Sequence, residues 1–126
     1  VILKDELKNT LDQAILTLMT NSTDLRSILI EGHTDNIPPQ GDIAKRYPTN
    51  WELSSARAAN VVNYLIYKGV MPGRLTASGY ANRWPTGATW GEVRSGKVDD
   101  NFILSKNDTP EQQAQNRRIK IIFGVK

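Results

Sequence analysis

The sequence predicts a mixed α/β domain in which helices cover a small sheet, and three observations carry that prediction. Apolar residues recur at helical spacing over residues 3–20 and again over 50–68. Three short apolar or alternating runs, at 25–34, 74–80 and 118–125, read as strands interleaved with those helices. The chain has 126 residues, 39% hydrophobic and 23% charged, which suits one domain spanning 1–126 that buries about two thirds of its unfolded surface.

Each element has its own local reason. Leu3, Leu7, Leu11, Ala14, Ile15 and Leu18 make one face of an opening helix of about five turns, which needs a sheet to cover. Asn21-Ser22-Thr23-Asp24 is turn chemistry, and Leu25 to Thr34 follows as a largely buried strand because Ile28, Leu29 and Ile30 run consecutively. Gly32 near its end lets another backbone approach closely. The segment from Asn36 to Thr49 holds Pro38, Pro39, Gly41 and Pro48, which predict a stiff, shaped loop without regular structure. Asn50 is the expected N-cap of a second helix to about Lys68. Its inward stripe is Leu53, Ala56, Val61, Tyr64 and Leu65, and Gly69 is its stop signal. Arg74 to Tyr80 and Arg118 to Val125 supply the second and third strands. Between them, Ala81 to Asp108 is a long segment of the kind that usually has a function, with Val98 to Leu104 expected to pair as a short hairpin. Thr109-Pro110-Glu111-Gln112 then starts a helix to about Asn116, which delivers Arg117 and Arg118 into the last strand.

Composition narrows the function. No run approaches the roughly 20 apolar residues of a membrane-spanning helix, and a chain that begins with Val1 leaves room for an anchor ahead of it. The absence of cysteine excludes disulfides and thiolate metal sites. A net charge of +3, with sixteen Lys and Arg scattered along the chain, argues against a nucleic acid partner. His33 is the one histidine, so no zinc site or other cofactor is expected. No Gly-x-Ser-x-Gly elbow is present, and Ser54, Ser55 and Ser78 sit where packing or capping explains them, so catalysis has no candidate machinery.

The informative charges are Asp35, at the end of the first strand, and Arg57, about two turns into the following helix. A compact crossover brings this acid and base to one mouth, where a zwitterion fits: a carboxylate accepts from an ammonium, and the planar guanidinium fork grips a carboxylate. The plainer alternative is that Asp35 caps a turn and Arg57 pairs with it as a structural ion pair. Of Arg117 and Arg118, alternation sends one towards the sheet and the other to solvent. Trp84 and Trp90, in the long segment, are core anchors or platforms that stack on a sugar or cover the site.

Ile30-Glu31-Gly32-His33-Thr34-Asp35-Asn36, then Asn50-Trp51-Glu52-Leu53-Ser54-Ser55-Ala56-Arg57-Ala58, then Asn116-Arg117-Arg118-Ile119 resembles the OmpA-like peptidoglycan-binding domain, three motifs in order over most of the chain. The first two runs are most similar to its MotB branch, the periplasmic part of flagellar stator subunits. The resemblance implies an α+β fold, a two-layer α/β sandwich of β-α-β-α-β-β order. It also implies noncatalytic binding of the diaminopimelate in the peptidoglycan stem peptide. By motif position Asp35 receives the ammonium and Arg57 the carboxylate, with Thr34, Asn50, Leu53 and Arg117 lining the pocket. It further implies a periplasmic domain of an inner-membrane-anchored protein, acting as a homodimer with a MotA-type partner, or, as the alternative, an outer-membrane wall tether. Two departures stand out: the chain begins almost at the first helix, so the strand that usually precedes it is left out or unseen, and the 81–108 segment is longer than the plain family loop.

Overall fold

The computed structural model describes residues 13–124. The elements are α1 (Gln13–Met19), β1 (Ile28–His33), α2 (Asp42–Arg46), α3 (Asn50–Tyr67), a 3-10 turn at Pro72–Arg74, β2 (Leu75–Gly79), α4 (Trp90–Arg94), α5 (Asp100–Ser105), α6 (Pro110–Asn116) and β3 (Arg118–Phe123). The strands form a mixed sheet in the order β2-β1-β3. β2 runs parallel to β1 with Gly32 opposite Gly79, and β3 runs antiparallel with His33 opposite Arg118. The α+β architecture is therefore as predicted. Leu3, Leu7, Leu11 and the question of a strand before the first helix lie outside the described residues.

Register and alternation sort the side chains. Ile28, Ile30 and Gly32 share a face with Phe123, Ile121 and Ile119. Ile28 and Ile30 form the core with Met19 of α1, Ala58, Val61 and Leu65 of α3, and Val70, with Ile15, Leu16, Leu75, Ile119, Ile121 and Phe123 packed against it. Burying each large aliphatic here contributes roughly 1.5–3 kcal/mol. The inward stripe of α3 is rotated slightly from expectation: Ser54 and Ala58 are buried with Val61 and Leu65, whereas Leu53, Ala56 and Tyr64 are half-buried. In α1, Met19 is fully buried and Leu18 is 47% exposed, the reverse of the sequence reading for Leu18.

Backbone contact fixes how α3 sits. A Cβ on Gly32 would collide with the carbonyl oxygen of Ser54, and one on Gly79 with the backbone nitrogen and hydroxyl of Ser55. The paired glycines thus make a notch at the C-terminal ends of β1 and β2, and the first turns of α3 lie in it. Gly69, at φ +102°, turns the chain out of α3 as expected.

Three local readings are corrected. Thr49, not Asn50, caps α3: its hydroxyl accepts from Trp51 N–H (3.2 Å), while Glu52 accepts from Thr49 N–H (3.1 Å). The Pro-rich loop contains one helical turn, α2, between its prolines. Val98 to Leu104 is not a hairpin, because Asp99 accepts from Phe102 N–H (2.8 Å) and starts α5.

Candidate functional site

Asp35 lies just past β1 and is buried. Its Oδ1 accepts from Ile37 N–H (2.9 Å), an Asx turn that aims the carboxylate, and its Oδ2 accepts from Arg117 Nη1 (2.6 Å). Arg117 occupies the joint between α6 and β3, and its side chain is 40% exposed. The partner of Asp35 is therefore Arg117, from the opposite end of the sequence, and the ion pair with Arg57 weighed from spacing does not form.

Arg57 projects from α3 one turn beyond Ser54, the residue whose carbonyl seats against Gly32. It makes no hydrogen bond or ion pair among the described residues. Partial burial pushes its pKa below the ordinary arginine value, as does the like charge of Arg117, while Asp35 acts in the opposite direction. Arg57, Arg117 and Asp35 thus sit within electrostatic reach of each other, two guanidinia against one carboxylate.

Asn50, in the first turn of α3, donates from Nδ2 to the carbonyls of Ile37 (3.2 Å) and Asp35 (3.4 Å), tying the helix start to the strand end. Its Oδ1 is buried and has no partner among the described residues. Thr34 is buried too: its N–H donates to the Ala81 carbonyl (2.8 Å) and its hydroxyl to the Asp35 carbonyl (2.9 Å), so it braces the Asp35 backbone. Leu53 stands half-buried in the same turn of α3 as Asn50. Ser54, read from sequence as packing or capping, also joins the loops, its hydroxyl accepting from Ala81 N–H (3.0 Å) and donating to Trp51 O (3.2 Å). Ala81 holds a positive φ of 54° there.

Arg118 faces away from this mouth. Opposite His33 in the register, it donates from Nη2 to Trp84 O (3.0 Å) and from Nη1 to Asn116 O (3.3 Å). His33 is stacked on Tyr80 (centroids 5.3 Å apart) and meets Trp84 edge-on at 6.2 Å, with Nε2 lying 3.2 Å from Glu31 Oε1. Burial, together with Arg118 and Lys120, holds the His33 pKa down to about 3. The ring is therefore neutral at pH 7 and donates its Nε2 proton to Glu31, leaving Nδ1 as a buried acceptor without a partner among the described residues. Trp84 belongs to this packed layer, and its indole N–H donates to Ala88 O (2.8 Å). Trp90 is 63% exposed and lies under Arg94, 4.2 Å from the ring centroid.

The long segment is built onto the site through Asn116. This buried side chain accepts from Thr86 N–H (2.7 Å) and donates to Lys106 O (3.0 Å) and Asn107 Oδ1 (2.9 Å), immediately before Arg117. The sequence places Asn116 at the helix end and in the third family motif, without a role of its own in the site. Among the described residues, no group of three or more His, Cys, Asp or Glu lies together to hold a metal, and no helix is long and apolar enough to cross a membrane.

The chain is similar to known proteins in sequence and in fold. YtxE, an uncharacterized protein of Bacillus subtilis, is 34% identical over 114 residues, covering 90% of this chain and 37% of that protein. Motility protein B of the same organism is 29% identical over 99 residues, 78% of this chain and 30% of the relative. The chain thus spans about a third of these relatives. Among solved structures, a MotB-like protein from Desulfovibrio vulgaris superposes with a TM-score of 0.70 at 26% identity, over 98% of this chain and 63% of the other. The cell wall anchor of the T6SS from Pseudomonas aeruginosa gives a TM-score of 0.66 at 29% identity, over 97% and 69%. The model of the OmpA family matches residues 1–100, and with MotB-type domains among its relatives in both sequence and fold, the chain belongs to the OmpA family.

Proposed function

We propose that residues 1–126 are one noncatalytic domain that binds peptidoglycan by the diaminopimelate of its stem peptide and so fixes a membrane-anchored assembly to the cell wall. The observation that carries this reading is the pair at the mouth: a buried carboxylate aimed by its own loop, and within its electrostatic reach a guanidinium that has no ion-pair partner among the described residues. An amino acid head group supplies the two complementary charges, its ammonium to Asp35 and its carboxylate to Arg57. Asn50, Thr34, Leu53 and Arg117 shape the rest of the pocket, and nothing in the reading requires a nucleophile, metal or cofactor.

The likeness to Motility protein B favours a flagellar stator as the assembly, with the domain in the periplasm, the whole protein anchored in the inner membrane, a homodimer, and a MotA-type partner. Cosedimentation with diaminopimelate-type sacculi tests the binding. The wild type is expected to pellet, free diaminopimelate to release it, and Asp35→Ala or Arg57→Ala to weaken binding about ten- to a hundredfold, since each removes a charge-assisted contact of about 1.5–3 kcal/mol. A folded wild type that stays in the supernatant contradicts the proposal.

A further inference from the structure

Both oxygens of the Asp35 carboxylate already have donors from the chain itself. Oδ1 accepts from Ile37 N–H, which belongs to the turn and is fixed, and Oδ2 accepts from Arg117 Nη1, which sits on a long, partly exposed side chain. An ammonium arriving at Asp35 meets a carboxylate that a guanidinium is holding. We propose that Arg117 competes with the ligand ammonium for Asp35 and turns to the ligand carboxylate when displaced, so that it selects for head groups carrying both charges; this rests on the function proposed above.

Three features of the site support the exchange. Arg117 sits at the C-cap of α6, before the first residue of β3, so its backbone is held from both sides while its guanidinium swings. The site holds two guanidinia for one carboxylate, and Arg117 disfavours the charge of Arg57, so a carboxylate placed between them offsets that effect. Asn50 Oδ1, buried beside the Asp35 backbone without a partner among the described residues, is a further acceptor for a donor entering the pocket. A head group with an ammonium and no carboxylate dislodges Arg117 and gives it nothing in return. One with both charges replaces the ion pair it breaks.

The test compares diaminopimelate with its bis-carboxamide, which keeps both ammonium groups and removes both carboxylate charges, by calorimetric titration of wild type, Arg117→Ala and Arg117→Gln. The wild type is expected to prefer diaminopimelate. Both variants are expected to bind the carboxamide about two- to fivefold tighter than the wild type, the scale of a partly exposed ion pair. Their preference for diaminopimelate shrinks accordingly. Variants with an unchanged circular dichroism spectrum that weaken both ligands equally would overturn the proposal, since Arg117 would then only support Asp35. If wild type and variants alike bind neither compound, the proposed function fails along with it, a result distinct from intact binding with unaltered preference.

Discussion

The sequence directs Asp35, at the end of an apolar strand, and Arg57, two turns into the following helix, to one mouth, and the structure also gives Asp35 the plainer duty of holding a turn through Ile37 N–H. The actual partner of Asp35 was not legible: Arg117 is 82 positions away, and only the antiparallel pairing of β1 with β3 brings it back. His33 shows how much burial does at one residue. Its folded pKa of about 3 lies below the ordinary histidine value of 6.5, so between these values the unfolded chain binds a proton that the folded chain refuses. The stabilisation is complete above pH 6.5 and is lost as the pH falls towards 3. Urea unfolding at pH 7 and pH 4 is expected to show a loss on the order of a few kcal/mol, and His33→Gln is expected to flatten that dependence. An unaltered pH profile in the variant would assign the acid sensitivity to other groups.

Elements with strong local signals were read correctly, and those decided by one capping residue were not. Thr109-Pro110 announced α6, and the apolar run of Ile28 to Ile30 announced β1. The Val98 to Leu104 run fits a strand or a helix equally by periodicity, and the choice falls to Asp99, whose carboxylate caps α5. Asn50 and Thr49 are both good caps, and Asn50 is used instead to tie α3 to the Asp35 loop. The notch that seats α3 is the most sensitive joint of the fold. Gly32→Ala puts a methyl group against the Ser54 carbonyl, and α3 carries Arg57 with it when it moves away. We expect a loss of about 1–3 kcal/mol in chemical denaturation together with weaker binding to sacculi. A fully stable Gly32→Ala protein with native binding would show that the helix is not held there.

At the scale of the whole molecule, the core and the site occupy different parts of one sheet. Met19, Ile28, Ile30, Val61 and Leu65 hold the layers together, while the C-terminal end of β1 carries the charges. Asn116 and Arg118 fasten the 81–108 segment to the same end through contacts that no local sequence pattern reveals. The residues that carry the family resemblance, from Gly32 to Asn36, from Asn50 to Arg57 and from Asn116 to Arg118, gather at this end of the sheet. The most direct measurement is a crystal structure of the domain with diaminopimelate. The account predicts the ligand ammonium within about 3.2 Å of Asp35 and the ligand carboxylate on the Arg57 guanidinium. A ligand bound with the Asp35–Arg117 pair untouched, or bound elsewhere on the domain, would contradict it.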